Sequence, residues 1–226
     1  PAPAPGEDVG CRTHFGLGRA YRKERLHTKA IATLRSVVDR CDDKSIRVRA
    51  LYVLASSASI ATPVDGVGVY LQLTQDFPDH PFADDALFYA ADLQVRAGNM
   101  AEAQALLTQL VESYGKGDFR AEALFKRAWI EKRLGKVERA LLTLGQLADE
   151  YKDVDTYEYQ RATYWRARLL ADSGAGGAAV AKGLYATLAA NHPVDYYGIL
   201  SRARLEEVDA KGAAALAANM HVPVPS

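Results

Sequence analysis

The chain has 226 residues, of which 49% are hydrophobic and 25% charged, and 28 lysines and arginines balance 28 aspartates and glutamates. This composition allows a substantial core or one elongated domain. The absence of net charge argues against a protein that binds nucleic acid or an anionic membrane. No apolar run approaches the roughly 20 residues that cross a bilayer.

The chain begins with PAPAPGEDVG, which has the proline and alanine content of a linker. We therefore predict that residues 1–10 are a linker outside the fold. The start has neither a Met nor a signal sequence, as expected of a mature protein whose targeting peptide has been removed.

The residues that follow form long amphipathic stretches separated by short segments of Gly, Pro and Asp. This pattern predicts helices joined by tight turns. Residues 84–115 and 121–152 align without gaps at an offset of 37. Phe88 aligns with Phe125, and Gly98 aligns with Gly135. This alignment predicts a repeat of about 37 residues.

Small residues extend this repeat in both directions. At spacings of 37, 36, 37 and 39 residues, the middle of each first helix has Gly18, Ala55, Ala91, Ala128 and Ala167. Twelve residues after each come Ala30, Val67, Ala103, Ala140 and Ala179. Because small residues let antiparallel helices cross closely, these spacings predict five helical hairpins.

The pattern resembles a tetratricopeptide repeat. Residues 15–34 are the closest copy, with the usual residue types at Leu17-Gly18, Tyr21, Ala30 and Leu34. The second repeat departs from the family at Thr62-Pro63 and Val67, and the fifth departs at Gly183. The resemblance covers roughly residues 12–190.

The resemblance implies an all-α fold: a right-handed superhelix of about five tetratricopeptide-like hairpins with terminal capping helices. The predicted organisation is a linker (1–10), the repeats (11–192), and capping helices (193–226) that lead towards a further domain. Such repeats serve many binding roles, so the fold alone does not define a function.

The two cysteines lie at the ends of the first predicted hairpin. Cys11 comes just before its first helix and Cys41 at the end of its second helix. These ends are neighbours in an antiparallel hairpin. Two buried reduced thiols are the alternative, but the placement favours a disulfide that closes a loop of about 30 residues. A disulfide would indicate an oxidising compartment.

A row of aromatic residues precedes the small residues of the first helices. Its members, one in each repeat, are Phe15, Tyr52, Phe88, Phe125 and Tyr164. In the repeat family this position faces the concave groove, as does the residue four further on: Arg19, Ser56, Asp92, Trp129 and Arg168. The row could stack on sugar rings or grip a peptide. The interpretation that we favour is that the rings wedge between successive first helices.

Catalytic and metal-binding patterns are not evident. The histidines are scattered and none is spaced for a metal site with another His or Cys. Asp84-Asp85 and Glu206-Glu207 are interpreted as solvated or capping charges. There is no Gly-x-Ser-x-Gly motif and no phosphate-binding loop. We therefore expect no catalytic residue, metal site or cofactor.

After the repeats, residues 194–205 predict a further helix. Tyr196, Ile199 and Leu200 share one face of it, so we expect Tyr196 in the core. Tyr197 is then expected nearer the surface, beside Ser201 and Arg204, and is added to the candidate ligand-binding residues.

The Tyr196-Tyr197-Gly198 segment, with an apolar helix ending in Ala203-Arg204-Leu205, resembles the segment that precedes the catalytic domain of soluble lytic transglycosylases. This resemblance implies the non-catalytic superhelical region of a periplasmic enzyme that cleaves peptidoglycan. Residues 206–226 contain no counterpart of the family's catalytic Glu-Ser segment. The chain is therefore not expected to be catalytic by itself.

Two hypotheses for function follow. In the first, the chain binds or positions peptidoglycan glycan strands or partner proteins in the periplasm of a Gram-negative bacterium. In the second, it is a tetratricopeptide scaffold of the cell envelope that binds peptide segments of partner proteins, as in outer-membrane assembly or cell-division coordination. Residues 76–107 resemble tetratricopeptide modules of that second kind.

Overall fold

The computed structural model describes residues 5–219, with side-chain environments for residues 9–218. Within this range the secondary structure consists of twelve helices without a strand. The helices are α1 (Pro5–Lys23), α2 (His27–Arg40), α3 (Lys44–Ala61), α4 (Pro63–Asp76), α5 (Phe82–Ala97), α6 (Met100–Ser113), α7 (Arg120–Arg133), α8 (Val137–Tyr151), α9 (Thr156–Ala171), α10 (Gly174–Asn191), α11 (Tyr196–Val208) and α12 (Ala210–Asn219).

The chain divides after Ala123 into two compact units, here called unit 1 and unit 2. In unit 1 each helix from α1 to α5 packs against the next one, α5 packs against α6, and the first helices α1, α3 and α5 also contact their neighbours. In unit 2 the same consecutive packing runs from α8 to α12, and α9 also contacts α11. These packed hairpins confirm the prediction of an all-α, tetratricopeptide-like fold.

The helix crossings depend on the predicted small residues. Ala55, Ala91, Ala128 and Ala167 are all buried. In the first hairpin a Cβ added to Gly18 would overlap the side chain of Leu34. A small residue is therefore needed where the two helices of each hairpin cross.

The register of the fifth hairpin differs from the prediction. Ala179 is exposed, and the buried residue is Ala181. Helix α10 has 18 residues where α6 has 14. The buried face lies two residues later than predicted, so that the spacing of Ala103, Leu107, Leu110 and Val111 is repeated by Ala181, Tyr185, Leu188 and Ala189.

The turns inside the hairpins need a left-handed backbone. Seven residues after the small residue of the first helix come Gly98, Gly135 and Gly174, with φ of 84°, 75° and 83°. The first hairpin has Arg25 at this position, with φ of 60°. Glycine adopts this conformation without the steric cost that a Cβ imposes.

The first helix begins earlier than predicted. It starts at Pro5, so residues 5–10, predicted to be linker, are helical, and residues 1–4 lie outside the described residues. Cys11 consequently lies inside α1 rather than before it. A disulfide joins Cys11 to Cys41, whose Cα atoms are 5.8 Å apart, and this bond ties α1 to the end of α2.

The region predicted to cap the repeats contains α11 and α12. Residues 220–226 lie outside the described residues. In the described part of the chain, no helix combines the length and the apolar character that spanning a membrane requires.

Candidate binding surfaces

Three rings of the predicted ligand-binding residues are buried. Phe88, Tyr164 and Tyr197 are 7%, 3% and 6% exposed. Phe88 stacks on Phe119, with ring centroids 4.4 Å apart. Tyr164 packs against Tyr185 and Tyr197, with centroids 6.0 and 5.4 Å away. These rings contribute to helix packing and present no face to a ligand.

The half-buried Phe15 lies between two arginines of unit 1. The guanidinium carbons of Arg19 on α1 and Arg49 on α3 lie 5.7 and 5.8 Å from its ring centroid. Both arginines are exposed. This cation–π arrangement holds two positive charges at the junction of the first helices α1 and α3.

A groove of about 350 Å³ lies beside this junction. Its charged lining residues are Arg19, Arg22 and Lys23, and Val53 of α3 contributes an apolar wall. Arg22 donates a hydrogen bond to Ser56 Oγ at 2.7 Å, which fixes one guanidinium at the edge. We call this feature, lined by Gly16, Arg19, Ala20, Arg22, Lys23 and Val53, the basic groove.

The surrounding charge is strongly segregated along the chain. Residues 9–64 contain eleven lysines and arginines against four aspartates and glutamates, whereas residues 65–119 contain two against nine. All of these residues belong to unit 1. The zero net charge concealed this division, and a count by repeat rather than over the whole chain reveals it.

The acidic half of unit 1 contacts the aromatic row at Tyr52. This half-buried ring stacks on Phe82, with centroids 4.5 Å apart. Burial, followed by the nearby charge of Asp85, raises the pKa of the Tyr52 phenol. Burial and the Asp84 carboxylate raise the pKa of Asp85, while its hydrogen bond with Tyr52 acts in the opposite direction. Asp85, one of the pair interpreted as solvated or capping charges, is therefore half-buried.

In unit 2 the predicted groove residues are covered by neighbouring side chains. The guanidinium carbon of Arg161 lies 4.1 Å from the ring centroid of Phe125. Trp129 packs edge-on against Trp165 at 4.9 Å, and the ammonium of Lys132 lies 4.8 Å from its ring centroid. Both tryptophans remain half-buried, which leaves each of them a partly accessible surface.

Arg168, the last predicted groove residue of the repeats, is also engaged. Its guanidinium donates to the Tyr164 hydroxyl at 3.4 Å, and its Cζ lies 5.8 Å from the ring centroid of Trp165. The Arg168 side chain is thus engaged by the hydroxyl of the buried Tyr164 and by the ring of Trp165.

The Tyr-Tyr pair has the opposite orientation to the predicted one. Tyr196 is 66% exposed, whereas Tyr197 is only 6% exposed. The ring centroids of Tyr197 and Tyr157 lie 5.7 Å apart. Burial and the hydrogen bond with Tyr157 raise the pKa of Tyr197 to about 12. Gly198 and Ser201 complete the buried face of α11. Tyr197 is therefore a core residue, and the prediction that it lies nearer the surface than Tyr196 was wrong.

In this orientation of α11, its exposed Tyr196 lies beside a small pocket that the exposed Tyr157 of α9 also lines. Tyr157, 54% exposed, and Tyr196 line a pocket of about 330 Å³ together with Gln160 and Asp195. The Gln160 amide donates to Asp195 at 2.7 Å, and the same carboxylate interacts with His192 Nδ1 at 3.2 Å. Two apolar rings and a fixed polar pair therefore converge here.

Potential metal ligands do not cluster in the described part of the chain. Among the described residues, no group of three or more His, Cys, Asp or Glu side chains could hold a metal ion. His80 accepts a hydrogen bond from the Phe82 N–H at 3.1 Å at the start of α5. Its position and contacts are those of a residue that organises a turn.

Comparison with known proteins agrees with the fold. Residues 88–154 match the tetratricopeptide repeat family. A tetratricopeptide repeat protein from Parabacteroides merdae has a TM-score of 0.60 at 13% identity, covering 92% of this chain and 76% of that chain. PilF from Pseudomonas aeruginosa has a TM-score of 0.57 at 15% identity, covering 93% and 90%.

The tetratricopeptide-like repeats of a kinesin light chain from Podosopora anserina have a TM-score of 0.53 at 17% identity, covering 92% of this chain and 94% of that chain. No curated protein sequence matches. At these identities the likeness concerns the fold alone. The repeat match and the structural relatives together show a tetratricopeptide-like helical-repeat fold.

Proposed function

We propose that this chain is a protein-interaction scaffold whose basic groove binds an acidic segment of a partner protein. The observation that carries the proposal is the concentration of exposed positive charge around Arg19, Arg22 and Lys23 on a helical-repeat fold. Repeat folds present extended surfaces built from successive helices, and they commonly bind other proteins.

The charge pattern also gives the bound segment a direction. Its acidic residues lie over α1 and α3, where positive charge dominates. Residues that follow them towards α5 meet the half-buried carboxylate of Asp85, and therefore favour a neutral or basic side chain. Opposite potentials along a groove select both the partner and its orientation.

The test is fluorescence anisotropy with a labelled peptide that has four glutamates followed by two lysines. Replacing Arg19, Arg22 and Lys23 together by Gln should weaken binding at least tenfold, and the affinity should fall with added salt because exposed charges are screened. The matched control replaces Lys132, Arg133 and Lys136 by Gln, which removes the same charge from unit 2.

Equal weakening in both triple variants would mean that only the net charge matters, and it would overturn the proposal. A peptide with the reversed order, lysines before glutamates, tests the direction. It should bind several-fold more weakly than the first peptide.

A second proposal is that the chain binds peptidoglycan, as the resemblance to lytic transglycosylases implies. What supports it is the pocket beside Tyr157 and Tyr196, because exposed aromatic rings beside fixed hydrogen-bonding groups suit the apolar faces and hydroxyls of sugar rings. Sedimentation with purified sacculi tests it. Retention that is lost in the Tyr157→Ala, Tyr196→Ala double variant supports glycan binding, and no sedimentation excludes it.

The cell envelope remains our proposal for where the protein acts. The Cys11–Cys41 disulfide supports it, because such bonds persist in oxidising compartments. Fractionation of the producing cells, with the protein found among cytoplasmic markers, would exclude this localisation.

A further inference from the structure

A second pocket of unit 1, distant in sequence from the basic groove, has a different character. It occupies about 540 Å³ between the turn that precedes α5 and the turn that precedes α7. We call it the aspartate pocket, because three carboxylates line it: Asp79, Asp84 and Asp118. One ammonium group, that of Lys116, belongs to the exposed rim.

Asp84 distinguishes this pocket from an ordinary acidic surface. The residue is only 6% exposed, and it lines the pocket from the first turn of α5. Its carboxylate has no hydrogen bond or ion pair in the described part of the chain, Lys116 included. A buried charge without a partner is costly, and proteins seldom keep one without a ligand or a function.

The walls and the floor of the pocket are fixed around this carboxylate. The Tyr114 hydroxyl donates to the Pro78 carbonyl at 2.9 Å, which holds the ring against the turn. Burial, followed by the negative charges of Asp84 and Asp79, raises the pKa of Tyr114, and all three residues line the pocket. A Cβ added to Gly117 would overlap the Asp84 carboxylate, and glycine therefore keeps the floor open.

We infer that the aspartate pocket binds an arginine side chain of a partner protein, with the guanidinium paired to Asp84 and lying along Tyr114. The planar guanidinium donates two parallel hydrogen bonds to one carboxylate and stacks on aromatic rings, whereas an ammonium does neither as well. Asp79 and Asp118 add attraction at the rim. The site is independent of the basic groove, and both could engage one partner.

The test is a titration of the ¹⁵N-labelled chain with N-acetylarginine methylamide, followed by NMR. We expect saturable shifts of the amides of Asp84, Gly117 and Asp118. N-acetylcitrulline methylamide, which has the same shape without the charge, should give none. Equal shifts with citrulline, or no saturable shift with arginine, would overturn the inference, and neither result requires a variant that folds.

Variants then locate the site. Asp84→Asn should raise the Kd for the arginine probe at least tenfold, while Asp65→Asn, an exposed aspartate in the first turn of α4, should leave it unchanged. Gly117→Ala should also weaken binding without altering charge. Circular dichroism verifies that each variant is folded. N-acetyllysine methylamide should bind at least threefold more weakly, and equal binding would overturn the assignment to a guanidinium.

Discussion

Single residues decide how the helix after the repeats is oriented. At Gly198 the backbone of α11 approaches the carbonyl of His192 so closely that an added Cβ would overlap its oxygen. This contact turns Gly198 and Tyr197 towards the core and leaves Tyr196 outside. The side-chain pattern alone favoured the opposite face, because Tyr196, Ile199 and Leu200 recur there at helical spacing.

Replacing Gly198 by Ala should lower the free energy of unfolding by about 3 kcal/mol, since the overlap is with backbone and cannot be relieved by a rotamer change. The control is Gly183→Ala in α10, where nothing lies within 4 Å of the added Cβ. That change should raise stability by roughly 0.5–1 kcal/mol, because glycine is a poor helix former. Urea unfolding monitored by circular dichroism gives both values. Similar effects of the two substitutions would contradict the proposed contact.

The orientation of α11 shows what a sequence pattern can miss at this scale. Amphipathic periodicity identifies a helix and its more apolar face, but it contains no information about where the preceding loop returns. Here the loop through His192 and Asp195 determines which face is covered. A glycine directly after an aromatic pair was the available sign of a close backbone approach.

At the scale of elements, the hairpins were predictable because each one repeats the same physical requirements. Small residues at the crossing and a left-handed residue in the turn recur at fixed distances, and both can be counted in the sequence. The fifth hairpin departed from the expected register by two residues, and an alanine-rich helix such as α10 has few large residues that would reveal its buried face.

The turn requirement makes a direct prediction at Gly98. Gly98→Ala should destabilise the protein by roughly 1 kcal/mol, because φ of 84° strains any residue with a Cβ while no neighbouring atom lies within 4 Å. Gly68→Ala, inside α4 and equally open, should instead stabilise it by up to about 1 kcal/mol. Chemical denaturation of the two variants measures the difference. If both changed stability in the same direction, backbone strain at Gly98 would not be the cause.

At the scale of the whole molecule, composition was the least informative property. A balanced total charge suggested no preferred partner, yet unit 1 separates a basic half from an acidic half. The aspartate pocket escaped prediction for a different reason, because its residues come from two turns more than thirty positions apart. Only the packing of successive hairpins brings Asp84 next to Gly117.

The disulfide makes a prediction for the stability of the whole chain. Removing it by the Cys11→Ser, Cys41→Ser double substitution should lower the free energy of unfolding by about 3–4 kcal/mol, the range expected for a loop of this length. Unfolding curves of the oxidised protein and the variant give the difference. In a parallel assay, a thiol reagent should find no reactive cysteine after denaturation without reductant, and two reactive thiols would exclude the bond.

The same bond has a consequence for how the stack opens. A repeat array frays most easily where a hairpin has a neighbour on one side only. In unit 1 that position belongs to α1 and α2, and the disulfide joins the two helices near the end where they would separate. Partial fraying of this hairpin is thereby suppressed, and exchange of its amide protons should require opening of a larger part of unit 1. A change in redox conditions, rather than a modest rise in temperature, is then what would release the first repeat.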